Sequence, residues 1–484
     1  MKIHLREASS IENSDGLIVC TGNDLDVSKA YGLPIEHLKQ KETFEGKIGE
    51  VQFMTLVQQE KLQDVALIGV GNSEKFCETK FIKSLGEAIK GLKKKKVSHI
   101  VLDLKALSSV AVVDKKLQKL IFSALIMSDY EFNDYKTDAK PSTLETISVL
   151  GNDLDESCLN EGVILGETNV FSRYLTNMPA NIMTPDQLAK IAKDYVQPYG
   201  LEIEIKDENQ IEALGMHAYF AVAKASANPP RLIVMRHMGA PESDKRLALV
   251  GKGLTYDSGG LSIKPTASMV TMKDDMGGAS AVIAAMGAIA RLDIKANVIG
   301  IVAACENMIS GLSYKPGDII SSMGGKSIYI GNTDAEGRLT LIDAVTYGLN
   351  EEKATHVVDI ATLTGAAIHC LGSVASPVVT NNDDFYHIVE KSFNKADEKV
   401  WKMPVFDAYK ELVKHDQADL TNTAGAPGTI TAGIFIGEFA KDVPWVHIDI
   451  AGTAFKDKAS GIYSKGGTGS GAIPLVYLAK KMTK

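Results

Sequence analysis

The chain has 484 residues, of which 45% are hydrophobic and 23% are charged, and its net charge is −8. This composition is that of a globular protein of two or three domains, whose core is large enough to need no disulfides. The acidic balance argues against nucleic acid as the main partner, because phosphate binding needs a basic surface. The N-terminus is polar and no run of about 18 apolar residues occurs, so neither a signal peptide nor a membrane span is predicted. The five cysteines are scattered without metal or redox spacing, which indicates reduced thiols and a cytoplasmic protein.

The first 150 residues are predicted to form a small α/β domain, because strand and helix patterns alternate along them. Short apolar segments at 15–20, 64–71 and 98–104 predict strands. A helix is predicted at 81–96, between the last two of these strands. The lysines at its end suit a helix C-terminus, where cations are favoured.

Residues 151–180 are predicted to be a helical connector. Their helical periodicity stops at Asn177 and Pro179. A new helix is predicted to begin at Thr184 and Pro185, since Thr is a favoured N-cap and Pro is favoured at the first helical position.

Residues 181–484 are predicted to form a larger α/β domain around a central, mostly parallel mixed sheet. Several of its predicted strands are near-continuously apolar, as strands covered on both faces must be. These strands lie at 231–237, 247–251, 297–307, 355–362 and 445–452. Three of them run directly into loops that contain glycine. Because ligands in open α/β sheets bind beyond the carboxyl ends of the strands, the functional site is predicted there.

Charged residues are concentrated in two segments of this larger domain. The predicted loops after the strand at 247–251 contain Lys252, Asp257, Lys264, Asp274 and Asp275, and the segment 332–339 contains Asp334, Glu336 and Arg338. Clustered carboxylates repel one another unless a cation intervenes. Four of these carboxylates would balance two divalent ions, which suits a two-metal site with a bridging water or hydroxide. Each segment by itself is also typical of ordinary loops and turns, so the prediction of a metal site depends on the combination of the two segments.

This combination resembles a known family. The segments GKGLTYDSGGLSIKP (251–265), MKDDMGGA (272–279) and above all NTDAEGRL (332–339) closely resemble the signatures of the leucyl (cytosol) aminopeptidases. The resemblance covers essentially the whole chain, including NMPANIMTPDQLA and WVHIDIAGTA. It implies a macro-like N-terminal α/β domain, a C-terminal catalytic domain, peptide substrates and a homo-hexamer.

The resemblance implies five metal ligands, which are Lys252, Asp257, Asp275, Asp334 and Glu336. Asp257 and Glu336 would bridge two ions, and Lys252 would bind as a neutral amine, a form that two nearby cations favour. These ligand types admit Mn²⁺ or Zn²⁺, and Mg²⁺ and Co²⁺ are also compatible with them. The implied reaction is hydrolysis of the N-terminal residue of a peptide by a hydroxide that bridges the metals.

Two further residues are implied to be catalytic. Lys264 would stabilise the oxyanion that develops on the substrate carbonyl. Arg338 would hold a bicarbonate ion that acts as the base, because its planar guanidinium matches such an anion. Asp274 has no ligand role in the family, and a supporting structural role is expected for it.

The resemblance also implies the substrate-binding residues, which are Met272, Asn332, Thr362, Leu363, Gly365, Ala451 and Ala454. All of these except Asn332 and Leu363 are implied to line the pocket for the substrate's first side chain. Most of these residues are apolar or small, which predicts a preference for Leu, Met or another neutral residue over Asp or Glu. Some relatives carry Met where this chain has Ala454. A deeper pocket that also accepts Phe is therefore expected.

Two other functions are compatible with parts of the sequence. A two-metal phosphoesterase also uses clustered carboxylates, but such sites usually recruit histidines, and none of the ten histidines lies in the motifs. A DNA-binding or regulatory role is the second alternative, which the acidic charge and the missing basic stripe disfavour.

Overall fold

The computed structural model describes residues 1–5, 14–22, 31–58 and 61–483. The chain divides into two compact units. Unit 1 consists of Met1–Val170 and Asp457–Lys465, and unit 2 consists of Phe171–Lys456 and Gly466–Lys484. The domain boundaries predicted near residues 150 and 180 stay a prediction, whereas the division between the compact units falls within one helix.

Unit 1 contains a six-stranded sheet whose strands are β1 (Lys2–Leu5), β2 (Gly16–Gly22), β3 (Val51–Gln58), β4 (Lys61–Gly71), β5 (His99–Asp103) and β6 (Thr146–Leu150). Their order is β1-β6-β5-β2-β4-β3, and every neighbouring pair is parallel except β3 with β4. The helices are α1 (Ile35–Gln40), α2 (Glu78–Lys94), α3 (Lys115–Asp129) and most of α4 (Glu156–Asn177). The strands predicted at 15–20, 64–71 and 98–104 and the helix predicted at 81–96 are confirmed.

Local capping chemistry fixes where the helices of the connecting region begin and end. The helix α4 ends at Asn177, as the sequence predicts. The next helix, α5 (Pro185–Val196), begins after Thr184, whose side-chain oxygen accepts a hydrogen bond from the Gln187 amide at 3.2 Å. This bond satisfies one of the amides that the first turn of a helix leaves without a partner.

Unit 2 is built around an eight-stranded sheet. Its strands are β7 (Glu202–Lys206), β8 (Arg231–Met238), β9 (Arg246–Asp257), β10 (Asn297–Asn307), β13 (His356–Ala361), β14 (Ser376–Thr380), β15 (Val400–Lys402) and β17 (Trp445–Asp449). The order is β15-β14-β17-β13-β9-β10-β8-β7. The four central strands, β17, β13, β9 and β10, are all parallel, so their carboxyl ends lie along one edge of the sheet.

Smaller strands and helices complete unit 2. The strands β11 (Ile319–Ser321), β12 (Ser327–Tyr329) and β16 (Leu420–Thr421) form a three-stranded sheet, and β18 (Phe455–Lys456) pairs with β19 (Gly466–Gly467). The helices are α6 (Glu208–Ala213), α7 (His217–Ala223), α8 (Thr266–Met269), α9 (Gly277–Arg291), α10 (Gly337–Asn350), α11 (Gly365–Leu371), α12 (Asp383–Lys395), α13 (Asp407–Glu411), α14 (Gly428–Gly437) and α15 (Ala472–Lys481).

Helices cover both faces of the eight-stranded sheet. Gly251 of β9 packs against α9, where a Cβ atom at position 251 would lie 2.7 Å from Ala279. Ala248 packs against Gly348 of α10. Residues an odd number apart in a strand point to opposite faces, so α9 and α10 lie on opposite sides. The predicted fold class, a smaller N-terminal α/β part and a larger C-terminal one with a mostly parallel mixed sheet, is confirmed.

One predicted boundary is wrong. The sequence places Lys252 and Asp257 in a loop after a short strand at 247–251, but β9 continues to Asp257. Pairing with β10 carries the strand through the glycine-containing segment, with a register shift between Cys305 and Glu306. Both residues are therefore held by a central strand. Among the described residues, no helix is long and apolar enough to cross a membrane.

Candidate metal centre and substrate pocket

Lys252 lies in the middle of the sheet and points toward the start of α10. It is almost fully buried, with 3% of its side chain exposed. Its Nζ atom lies 2.8 Å from Asp275 Oδ1 and 3.0 Å from Glu336 Oε1, and it donates to the Thr362 carbonyl oxygen at 3.0 Å. Gly337 makes room for this side chain, because a Cβ atom there would lie 2.4 Å from Lys252 Cε. The close approach of Lys252 therefore explains why position 337, in the motif NTDAEGRL, is a glycine.

Asp257 is the last residue of β9, and both of its carboxylate oxygens have polar partners. Its Oδ1 atom accepts from the Gly259 amide and from Asn307 Nδ2, each at 2.8 Å. Its Oδ2 atom pairs with Lys264 Nζ at 2.8 Å. Because Asn307 ends β10, the neighbouring strand fixes the orientation of this carboxylate.

The loop before α10 brings two more carboxylates to the same place. Oxygen atoms of Asp257, Asp334 and Glu336 all lie within 4.8 Å of one another. Lys264 Nζ lies 2.5 Å from Asp334 Oδ1. Thr333 fastens this loop to the loop after β9, since its hydroxyl donates to the Gly259 carbonyl oxygen at 2.7 Å.

Asp275 reaches the cluster from the turn before α9. Its Oδ1 atom accepts from the Thr362 hydroxyl at 2.9 Å as well as pairing with Lys252. The preceding 3₁₀ turn, Met272–Asp274, contains a predicted pocket residue and Asp274. Burial raises the pKa of Asp274 to about 7, with the Lys252 charge opposing that rise. Because Asp275 and Glu336 both contact Lys252, and Glu336 lies beside Asp257 and Asp334, the structure brings together all five predicted metal ligands.

The donor atoms of this cluster fit divalent cations. Asp275 Oδ2 and Glu336 Oε2 are buried oxygens with no hydrogen-bond partner among the described residues. Buried carboxylate oxygens are normally satisfied, and leaving one without a partner is costly. In the described part of the chain, the four carboxylates form their ion pairs here with two ammonium groups, those of Lys252 and Lys264. Hard oxygen donors with excess negative charge are what divalent ions require.

The charged groups of the cluster shift one another's pKa values. Burial raises the pKa of Asp275 and of Glu336, while Lys252 opposes the rise in both. Burial by itself lowers the pKa of Lys252, but the neighbouring carboxylates outweigh burial and hold it above the ordinary value. The same balance raises the pKa of Lys264, where Asp257 provides the largest opposing charge. The Lys264 ammonium is therefore charged at neutral pH.

Arg338 lies in the first turn of α10. Its Nη1 atom donates to the Asn422 carbonyl oxygen at 2.8 Å. Its Nε atom is buried and has no hydrogen-bond partner in the part of the chain that the structure describes. Burial lowers the pKa of Arg338 to about 10, against the charges of Glu336 and Asp449. The residue remains a cation with a free donor, as an anion-binding residue should be.

Most of the predicted substrate-binding residues, namely Thr362, Leu363, Gly365, Ala451 and Ala454, follow the carboxyl ends of β13 and β17. The Asp449 carboxylate, at the end of β17, accepts from the amides of Leu363 at 3.1 Å and Ala451 at 3.2 Å. A Cβ atom at Gly277 would lie 3.2 Å from Thr362 Cγ2 and 3.5 Å from Ala454 Cβ, so these two residues are neighbours. Ala454 is buried, with 4% exposed. Gly365 is exposed, and Met272, Asn332, Thr362, Leu363 and Ala451 are partly exposed.

Comparison with known proteins decides the family. Residues 170–476 match the catalytic domain of the cytosol aminopeptidase family, and residues 20–139 match the N-terminal domain of that family. The catalytic-domain match alone covers more than half of the chain. The chain belongs to the cytosol aminopeptidase family.

Individual relatives agree with this family. A probable cytosol aminopeptidase of Clostridium perfringens is 47% identical over 459 residues, which cover 93% of each chain. Another, of Clostridium tetani, is 43% identical over 486 residues, or 99% of each chain. A solved structure of the bottromycin maturation enzyme BotP in complex with Mn has a TM-score of 0.87 and 27% identity, and it covers 97% of this chain and 100% of that one.

Membership of the cytosol aminopeptidase family makes the chain a metallo-aminopeptidase. The predicted enzyme class, a hydrolytic exopeptidase, is confirmed. Both matched domains describe aminopeptidases, which favours the peptidase over the phosphoesterase that the carboxylates also allowed.

Three polar residues at the site were not singled out from the sequence. Asn307 orients Asp257, Asp449 connects the pocket segments, and Asn422 contacts both the loop before α10 and Arg338. Asn307 ends one predicted strand and Asp449 lies near the end of another, so their position near the carboxyl edge of the sheet was an available signal. Asn422 follows only the two-residue strand β16, which no sequence pattern marked.

Proposed function

We propose that this metallo-aminopeptidase uses two divalent ions to remove a neutral N-terminal residue, preferably Leu or another apolar one, from peptides. The observation that supports the proposal most strongly is the cluster of four carboxylates, three of them buried, in which Asp275 Oδ2 and Glu336 Oε2 have no hydrogen-bond partner among the described residues. Such a cluster needs cations to balance it. Its place at the carboxyl ends of parallel strands is where ligands bind in this class of fold.

The ions would be held by Lys252, Asp257, Asp275, Asp334 and Glu336, with Asp257 and Glu336 shared between them. When bound, Mn²⁺ or Zn²⁺ ions would supply a hydroxide nucleophile at neutral pH and polarise the scissile carbonyl. Lys252 would serve as a neutral amine. The carboxylates around it raise its pKa, and two cations held by the same carboxylates would act in the opposite direction.

Lys264 is the proposed electrostatic partner of the substrate carbonyl. Its ammonium is partly buried, with 15% of the side chain exposed, and the carboxylates of Asp257 and Asp334 hold it in place. A charged donor fixed in advance at the reacting centre stabilises an oxyanion without reorganising during the reaction. Lys264 can therefore act on the transition state without holding a metal.

Arg338 is the proposed binding residue for a bicarbonate ion that moves the proton. Its Nη1 atom is anchored to the Asn422 carbonyl oxygen, which leaves its buried Nε atom available to an anion. The motifs contain no histidine that could serve as the base. A bound bicarbonate would supply that missing group, and a guanidinium is well matched to hold it.

The preference for neutral residues is supported by the pocket residues Met272, Thr362, Gly365, Ala451 and Ala454. None of these side chains carries a charge. An acidic or basic substrate side chain would lose its hydration there without gaining an ionic partner. Leu and Met are expected to be good substrates, and Phe is expected to be accepted because Ala454 is small.

The proposal is tested by removing all metal from the enzyme and restoring Mn²⁺, Zn²⁺, Mg²⁺ and Co²⁺ one at a time. Turnover is then measured on aminoacyl anilides of Leu, Met, Phe, Ala, Asp and Glu, with a phosphate ester as the contrasting substrate. The expected result is metal-dependent turnover of the Leu, Met and Phe substrates at two ions per chain. Turnover without metal, or faster turnover of the Asp and Glu substrates, would contradict the proposal.

We also expect the enzyme to be a cytoplasmic homo-hexamer, as the family resemblance implies. All five cysteines are free thiols, which supports a reducing compartment. Light scattering coupled to size-exclusion chromatography measures the number of subunits directly. A mass of one or two chains would contradict the hexamer.

A further inference from the structure

Asn422 is a buried asparagine that contacts two parts of the site at once. It lies directly after β16, and its own amide donates to the Tyr329 carbonyl oxygen of β12 at 3.1 Å. The residue is 0% exposed. Its backbone is therefore fixed to the three-stranded sheet, and its side chain points into the loop before α10.

The amide side chain of Asn422 holds this loop on either side of Asp334. Its Oδ1 atom accepts from the Gly331 amide at 2.9 Å and the Asn332 amide at 3.4 Å. Its Nδ2 atom donates to the Asn332 carbonyl oxygen at 2.7 Å and the Ala335 carbonyl oxygen at 3.2 Å. Only a primary amide offers an acceptor and two donors in this geometry.

The backbone of Asn422 contacts the second part of the site, which is Arg338. Its carbonyl oxygen accepts from Arg338 Nη1 at 2.8 Å. One residue thus connects the loop that contains Asp334 and Glu336 with the guanidinium that follows them. Asn422 touches none of the proposed reacting groups with its side chain, so any effect on the reaction passes through the loop and through Arg338.

We propose that Asn422 is a positioning residue that sets the metal affinity of the site by fixing the loop that contains Asp334 and Glu336. This inference rests on the proposed two-metal function and deepens it. Residues that orient metal ligands typically contribute about 10- to 100-fold to metal affinity. Without the amide, Thr333 still holds the loop to the segment after β9, but Asp334 and Glu336 are less ordered before the metal binds, and metal binding weakens accordingly.

The same unit contains a matched control. Asn297 is also a buried asparagine, with 2% exposed, and its Nδ2 donates to the carbonyl oxygens of Ala240 at 2.7 Å and Ser243 at 2.9 Å. Its Oδ1 accepts from the Ala240 amide at 3.1 Å. Asn297 begins β10 and Asn307 ends it, so at about 3.3 Å per residue the control lies roughly 30 Å from the site.

The experiment compares Asn422→Leu with Asn297→Leu, and Asn422→Ser with Asn297→Ser in case the leucine variants fail to fold. For each metal-free protein, the Mn²⁺ dissociation constant is measured by competition with a chromophoric chelator, and the melting temperature is recorded. Turnover of a Leu anilide is then followed as Mn²⁺ is increased.

The expected result is a Mn²⁺ dissociation constant about 10- to 100-fold larger for the Asn422 variants, with turnover largely restored by excess Mn²⁺. The Asn297 variants should melt earlier but bind Mn²⁺ as the unaltered enzyme does. Unchanged Mn²⁺ affinity in the Asn422 variants, or an equal loss in both pairs, overturns the positioning role. A failure of the unaltered enzyme to bind two ions would refute the proposed function instead, so the two failures are distinguishable.

Discussion

The two sheets of this protein differ at the edge formed by the carboxyl ends of their parallel strands. In unit 1, β5 ends in Asp103, a buried carboxylate that accepts from the Lys105 amide at 2.7 Å and pairs with the Tyr31 hydroxyl. The loops after β5 and β6 line a cavity of about 480 Å³ with Ser108, Val112 and Asp153 among others. In unit 2, the corresponding edge holds four carboxylates and two lysines.

The difference lies in how completely the buried charges are satisfied. Asp103 has a hydrogen-bond donor on each of its oxygens, whereas Asp275 and Glu336 each keep one buried oxygen that no described residue contacts with a donor. A satisfied carboxylate is compatible with a purely structural role, whereas buried carboxylates without donors must take up either protons or a cation. The same strand edge is therefore structural in one sheet and a candidate reaction centre in the other.

The largest expected effect comes from the two carboxylates proposed to bridge the metals. Asp257→Asn and Glu336→Gln should each lose most bound metal and lower kcat/KM by about 10³-fold or more, since several kcal/mol of transition-state stabilisation depend on the ions. Asp103→Asn is the matched change in unit 1 and should leave both quantities near their original values. Two full metal equivalents in Asp257→Asn, measured by elemental analysis, would refute the bridging assignment.

Lys264→Ala should have the second-largest effect. Loss of a fixed donor to an oxyanion lowers kcat by about 10²- to 10³-fold, while metal content should stay near two ions per chain. The control is Lys95→Ala in unit 1, which removes an ion pair of 2.7 Å with Asp64 and should change kcat little. A parallel loss of metal in Lys264→Ala would show that the lysine supports the ions and not the transition state.

Arg338→Ala should lower kcat by about 10²-fold, the lower end of what a proton-transfer group contributes. In the unaltered enzyme, added bicarbonate should increase turnover in bicarbonate-free buffer. The Arg338→Ala variant should no longer respond to it, because the anion loses its guanidinium. If the variant is stimulated as strongly as the original enzyme, the anion is held elsewhere.

Ala454→Met should have the smallest and most selective effect. The added atoms fill the pocket, so kcat/KM should fall about tenfold more for a Phe anilide than for an Ala anilide, within the 1–3 kcal/mol that such a pocket discriminates. The melting temperature is recorded alongside, because Ala454 is buried and a larger side chain can strain its surroundings. Equal losses on both substrates would mean that residue 454 does not line the pocket.

Local sequence patterns were enough to predict the main strands and helices of this protein and the residues proposed for its site. Continuous apolar segments predicted the central strands, because a strand covered on both faces must be apolar throughout. The end of α4 at Asn177 and the start of α5 after Thr184 followed from the sequence, since helix termini depend on a few neighbouring residues. The motifs at 251–265, 272–279 and 332–339 together supplied the family and its proposed ligands. Each of these inferences depends on residues close together in the chain.

Only the tertiary structure decided how the site is held together. Lys252 and Asp257 looked like loop residues, yet pairing with β10 keeps them in a strand. Asn422 contacts Arg338 across 84 residues and the Gly331 amide across 91 residues. Such contacts depend on which strands become neighbours and in what register, and a one-residue slip would turn the side chains away. Periodicity indicates whether a segment is buried but not which segments lie beside it, so the contacts that fix the site could not be read from the sequence.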